Sequence, residues 1–274
     1  MKSVGLALGG GGVRGVAHIA YIKALEDLGI RPSVIAGTSS GSIVGALYAG
    51  GLKPDEMLAR IEALFGSFRK LKIRPVLRGR KAGWATAAAQ YCLQELLPKE
   101  CFEQLDIPLK VIATRFHTLE ERVFESGELL PAVMASIALP GVFGPQLADG
   151  EYYMDGGATN IVPFDVIRDS CDVLIAIDVS MVRPAPHMAP TRKNARFATW
   201  AATQEAYIRQ KLKTCPVELF ERPDLPPVSS MELFRYKTVY DQALSYLPDF
   251  IEKVKNSSLT PEHSHFCMNC FRWG

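Results

Sequence analysis

The chain has 274 residues, 48% of them hydrophobic and 22% charged. That is enough for one large buried core or two small ones, one being the expectation, and it excludes wholesale disorder, a collagen-like repeat and a membrane-channel composition. Thirty-one Lys and Arg against twenty-nine Asp and Glu leave a net charge of +2, too balanced for a surface that binds nucleic acid as a whole.

Val4 to Leu8 reads as a short buried strand running straight into four glycines, Gly9 to Gly12. Those glycines and Arg14 break up the amino terminus before an apolar stretch of signal length accumulates, so no secretory signal is expected. Val16, Ile19, Ala20, Lys23 and Ala24 recur at helical spacing up to Gly29. Ser33 to Ala36 forms a second apolar strand and Gly41 to Ala49 a helix of small residues. Pro32 to Leu52 carries no charge and has the length of a membrane span, but Gly37 to Ser42 in its middle favour strand, turn and buried helix. Strand, turn and helix, twice within fifty residues, predict βαβα units and an α/β fold.

Pro54, with Asp55 and Glu56 behind it, opens a helix to about Gly66. Strands are expected at Leu109 to Ala113, Arg122 to Phe124, Tyr152 to Met154 and Val173 to Val179. Helices are expected at Leu129 to Ala138, Arg196 to Lys213 and Thr238 to about Lys255. No repeat or long linker divides the chain, so one domain is expected over residues 1–256, with a mobile tail over 257–274. Six cysteines are too few for a disulfide scaffold, and a cytoplasmic setting is expected.

Gly10, Gly12 and Gly15 satisfy G-x-G-x-x-G between a strand and a helix, the setting of a dinucleotide site. A nucleotide-binding module also wants an acid closing the second strand, and Ala36-Gly37-Thr38-Ser39 offers none. Four successive glycines do bare backbone N–H groups at a helix amino end, a cradle for the charge that develops on a carbonyl oxygen in acyl transfer. Arg14 either steadies this loop or attracts an anionic head group. Gly37-Thr38-Ser39-Ser40-Gly41 is G-x-S-x-G between strand and helix, the context of a nucleophile elbow. Ser40 and Ser42 are competing hydroxyls, and the plain alternative makes Ser39 or Ser40 a helix cap.

A base for Ser39 has two sources. The order Ser39, Asp155, His187 suits a Ser-His-Asp esterase, although His187 lies in a Pro-rich loop with no strand end ahead of it. Asp155 is delivered by an apolar strand into Gly156-Gly157, where a carboxylate within about 2.6 to 3.2 Å of the hydroxyl acts as base directly. The alternative for Asp155 is a turn in which it bonds only its own backbone. Asp149, Asp165 and Asp178 are the other carboxylates, and His18 reads as a buried, hydrogen-bonded structural residue.

Together these features resemble the patatin-like phospholipase family. Gly10-Gly11-Gly12-Val13-Arg14-Gly15 is similar to its oxyanion loop, Gly37-Thr38-Ser39-Ser40-Gly41 to its elbow, and Asp155-Gly156-Gly157 to its second dyad element. Ala135-Ser136 through Pro140, Phe143 and Pro145 is similar to the segment ahead of the aspartate. The likeness runs from Gly9 to about Pro163 and more loosely to Val179. It implies a single three-layer α/β domain with a central, mostly parallel sheet flanked by helices. It also implies a Ser-Asp dyad without histidine and hydrolysis of acyl esters in phospholipids, lysophospholipids or neutral lipids, with no metal or cofactor. Carried over, Ser39 is the nucleophile, Asp155 the base, and the amides of Gly10, Gly11 and Gly12 the oxyanion donors. Arg14, Gly15, Gly37, Gly41, Gly156 and Gly157 support them.

Between Arg69 and Lys81 stand seven basic residues and no acid, with Leu71, Ile73, Val76 and Leu77 interleaved. This is either a solvated loop or a peripheral contact for anionic bilayers. Trp84, Ala87, Ala88, Tyr91 and Leu93 follow on a helix that lines an acyl pocket or belongs to the core. His263, His265, Cys267 and Cys270 have zinc-type donor chemistry, but nothing around them supplies the rest of a zinc fold, and a free tail is expected.

Overall fold

The fold is a computed structural model describing residues 2–70, 82–180, 191–226, 228 and 232–257. Its strands are β1 (Val4–Leu8), β2 (Val34–Thr38), β3 (Leu109–Arg115), β4 (Glu121–Phe124), β5 (Gln146–Ala148), β6 (Glu151–Asp155), β7 (Val173–Ile177) and β8 (Leu219–Glu221). They make one sheet in the order β5-β6-β3-β2-β1-β7-β8, with β4 also paired to β3. The helices are α1 (Ala17–Asp27), α2 (Ser40–Ala49), α3 (Pro54–Lys70), α4 (Ala82–Leu96), α5 (Leu129–Ser136), α6 (Arg192–Thr214) and α7 (Tyr236–Asn256).

Every residue of β1, β2 and β7 is buried, as strands covered on both faces require. Their alternate side chains divide between two cores. Leu6, Leu8, Ile35, Ile175 and Ile177 enter the larger one with α1, α2, α5 and α7. Ala7, Val34, Ala36, Leu174 and Ala176 face a smaller one closed by Ile161, Val162, Phe164, Ile167 and Ile208 of α6. The result is a mixed α/β domain of three layers around a mostly parallel sheet.

From β3 through β2, β1 and β7 to β8 the pairing is parallel. The pairings of β4, β6 and β5 are antiparallel, which the sequence reading did not separate. After β1 the chain turns to β2 on one side, and β7 fills the other side. Between them lies a switch point, the place where open α/β sheets bind their ligands beyond the carboxyl ends of the strands. Gly9 to Gly12 occupy that position.

Most expected elements stand within a few residues of their bounds. The exceptions have local causes. α3 runs past Gly66 to Lys70, because an interior glycine costs a helix only about 1 kcal/mol. β5 and β8 have three residues each, too few to show a period. α4 buries Ala85, Cys92, Leu93 and Leu96 while Ala87 and Tyr91 face outward, so its apolar stripe belongs to the core. No helix among the described residues is long and apolar enough to cross a membrane.

Candidate active site

Register brings together two residues 116 positions apart. Thr38 on β2 lies beside Ile112 on β3, and Ala113, the next residue of β3, lies beside Asp155 on β6. β4 fills the opposite side of these β3 positions, so β2 and β6 meet end to end along one side of β3, and Ser39 and Asp155 stand at the meeting point. Ser39 Oγ donates to Asp155 Oδ2 at 2.8 Å.

Ser39 sits at φ 51° and ψ −121°, a left-handed backbone that strains any residue with a Cβ. The turn is held shut by contact. A Cβ on Gly37 would lie 2.6 Å from Gly41 O, and one on Gly41 would run into Leu8 O, so neither position admits a side chain. Ser39 occupies the cap position of α2, yet its hydroxyl makes no cap bond and turns to the carboxylate instead. Ser42 Oγ is committed to Ser39 O at 2.7 Å. Ser40 is buried against Gly15, and among the described residues its hydroxyl has no hydrogen-bond partner. The Ser39 N–H is taken by Ser136 Oγ at 2.8 Å.

Asp155 does both things the sequence left open. Its Oδ1 accepts from Gly157 N–H at 2.7 Å, closing a local turn, while Oδ2 is left for Ser39. Gly156 brings that turn onto β3, where a Cβ would meet Ile112 O. Burial pushes the Asp155 carboxyl up to about 6 from an ordinary 3.8, against the opposing pull of the Gly157 N–H and the Ser39 hydroxyl. It is thus a carboxylate at neutral pH that holds a proton more readily than a surface aspartate does.

The glycine loop corrects one expectation. Gly9 N–H donates to Ile177 O and Gly10 N–H to Ile161 O, both at 2.9 Å, so the Gly10 amide is not free for an oxyanion. Gly10 instead brings bare backbone to the nucleophile, its Cβ position being 3.1 Å from Ser39 Cβ. Gly11 and Gly12 enter the 3-10 turn Gly12–Val16, Gly12 at φ 60°. Among the described residues nothing accepts from their N–H groups, as the first turn of a helix leaves them.

Arg14 is buried, with Nε on Val179 O at 2.7 Å, Nη2 on Ser180 O at 2.9 Å and Nη1 on Val228 O at 3.0 Å. It steadies the loop and has no free face for a head group. Burial lowers its pKa to about 10, against the attraction of Asp178, so it stays charged at neutral pH. His18 is buried too, with Nε2 2.8 Å from Gly9 O. Burial pushes its imidazole down to about 4, against that bond and Asp178.

The other candidates lie elsewhere. Asp178 is paired with Arg222, Asp165 with Lys211, and Asp149 with Arg122. His187, the zinc-type cluster at His263, His265, Cys267 and Cys270, and residues 71–81 of the basic run fall outside the described residues. Sequence reasoning missed two residues that build the site. Ser136 holds the nucleophile's amide, and Asn160 O accepts from Thr38 Oγ1 at 2.7 Å. Ser136 carried the single visible hint, since it opens the segment likened to the family's approach to the aspartate.

The sequence model of the family described as patatin-like phospholipase matches residues 6–168. The chain belongs to this family. A patatin-like phospholipase domain-containing protein of Caenorhabditis elegans is 28% identical over 278 residues, covering 89% of this chain and 20% of that protein. A lysophospholipase of Coccidioides immitis is 27% identical over 295 residues, covering 95% of this chain and 18% of the other. An NTE family protein of Mycobacterium tuberculosis is 33% identical over 190 residues, covering 67% of this chain and 51% of its partner in the comparison. The chain thus spans about a fifth of the length of the first two relatives and about half of the third.

Proposed function

We propose that this patatin-like domain is a serine acyl hydrolase that cleaves carboxylic esters of phospholipids or lysophospholipids. The observation that carries the reading is the 2.8 Å hydrogen bond from Ser39 Oγ to Asp155 Oδ2 at a strained strand-to-helix turn. Ionised Asp155 takes the hydroxyl proton as Ser39 Oγ attacks the ester carbonyl. The Gly11 and Gly12 amides, with the amino end of the 3-10 turn behind them, hold the charge that forms on the carbonyl oxygen. Asp155 returns the proton to the leaving alcohol as its C–O bond breaks. Water then attacks the acyl-enzyme as Asp155 accepts its proton, and the bond from the acyl carbon to Ser39 Oγ breaks, releasing the fatty acid while Asp155 hands that proton back to Ser39 Oγ.

The relatives named phospholipase and lysophospholipase support the lipid class. A triad through histidine finds less support, because the carboxylate meets the serine with no imidazole between them. Among the described residues His18 is bound to Gly9 O, and His117 stacks edge-on with Phe116 and Tyr152. We keep the basic run from Arg69 to Lys81 as the proposed contact with anionic membranes. The decisive experiment measures fatty-acid release from lysophospholipid and from a short-chain nitrophenyl ester. Ser39→Ala should lower both at least about a thousandfold with an unchanged circular dichroism spectrum; retained turnover would refute the assignment.

A further inference from the structure

The loop after β6 touches every part of the site, and α6 holds that loop. Gly157 N–H binds Asp155 Oδ1 at 2.7 Å, Asn160 O takes the Thr38 hydroxyl at 2.7 Å, and Ile161 O takes the Gly10 N–H at 2.9 Å. Residues 156–165 thereby fix the base, the strand end ahead of the nucleophile and the glycine loop against one another.

The fastenings come from α6. Gln204 Nε2 donates to Gly157 O. Lys211 Nζ donates to Asn160 Oδ1 at 2.6 Å, to Val162 O at 2.9 Å, and to Asp165 Oδ1. Positions 204, 208 and 211 follow the i, i+4, i+7 rule and share one helix face. Between the two polar residues Ile208 packs with Ile161, Val162 and Phe164.

Lys211 is 8% exposed. Burying an ammonium costs desolvation that an apolar side chain of the same length does not, so packing alone gives no reason for a charge there. What the ammonium provides is three oxygens of one loop gathered on a single point.

Resting on the proposed roles of Ser39 and Asp155, we infer that Gln204 and Lys211 are positioning residues: α6 clamps the 156–165 loop and through it sets the spacing of hydroxyl, carboxylate and amide cradle. Neither residue touches the reacting atoms. Their effect is therefore on kcat, since misplacement by about 1 Å costs up to about a hundredfold.

The test compares Lys211→Met and Gln204→Leu with wild type and with Lys213→Met, an exposed lysine of the same helix. Ester hydrolysis, thermal melting and amide hydrogen exchange are followed on the whole chain. Both clamp variants should lose about tenfold or more in kcat, with KM within about twofold. Lys211→Met should melt below wild type, because Asp165, Asn160 Oδ1 and Val162 O lose their common donor, so kcat is compared well below both midpoints, and the Gly10 and Gly157 amides should exchange faster in both variants. Lys213→Met should match wild type throughout.

Three results would overturn the inference: kcat within about twofold of wild type in the folded variants, a lowered melting midpoint with kcat retained, or unaltered exchange at Gly10 and Gly157. If Lys211→Met does not fold, Gln204→Leu decides on the same terms. Full turnover by Ser39→Ala, or none by wild type, would instead strike the proposed chemistry. Exchange at Gly10 and Gly157 would then still decide whether α6 holds the loop.

Discussion

Replacing Asp155 with asparagine separates what the carboxylate does for chemistry from what it does to the fold. Asparagine keeps an oxygen for the Gly157 N–H and a polar group beside Ser39 Oγ, and removes only the buried charge. The folded protein holds the Asp155 proton up to about pH 6, whereas the unfolded chain releases it near 3.8. A carboxyl raised in this direction favours the fold below pH 3.8, and that advantage disappears as pH climbs through about 6. At neutral pH ionised Asp155 is therefore a burden of about two units at about 1.4 kcal/mol each, or about 3 kcal/mol. Asp155→Asn should unfold about 6 to 10 °C higher than wild type at pH 8, with the gap closing toward pH 4. Ester hydrolysis should fall at least about a thousandfold. Melting curves at half-unit pH steps, run beside activity assays, give both numbers. A variant less stable than wild type at pH 8, or a gap that ignores pH, would refute the reasoning.

Three further outcomes follow from the same geometry. kcat/KM for a fluorogenic ester should rise about tenfold per pH unit below an inflection near the Asp155 value of about 6 and level off above it; a plateau already complete at pH 5 would contradict Asp155 as the base. Ser39→Gly and Ser39→Ala should both be inactive, but glycine relieves the φ 51° strain and should be the more stable by about 1 kcal/mol in urea unfolding. Equal stability would show that the turn stores no strain. Arg14→Lys offers one compact ammonium where three carbonyls are bridged and should lose about 3 kcal/mol; an unshifted urea midpoint would count against Arg14 as the loop's anchor.

The chemistry-bearing motifs were legible because each is local. Val4 to Gly15 and Ser33 to Ala49 carry strand, glycine turn and helix within a few residues, and Tyr152 to Gly157 does so again. Their meeting was not legible, since it depends on register through β3: Thr38 beside Ile112, Ala113 beside Asp155. Nor could composition show that the Gly10 amide is used up by Ile161 O, a contact about 150 positions away in the chain. Gln204 and Lys211 lie in a helix rich in Arg, Lys and Gln that reads as a solvated face. Their spacing with Ile208 was visible, but an apolar residue flanked by polar ones gives no reason to place all three inside. β5 and β8 were invisible for the simplest cause, being shorter than one period of alternation can reveal.

One consequence concerns any attempt to cut the protein down. The region matched to the family stops at residue 168, and it contains Ser39, Asp155 and all the glycine motifs. Yet β1 pairs with β7 along its whole length, from Val4 beside Val173 to Leu8 beside Ile177. An excised fragment ending at 168 would expose β1 as an unpaired apolar border, open to strands of other molecules. It would carry every motif of the family and precipitate, because the sheet's middle is completed from outside the motif-bearing stretch.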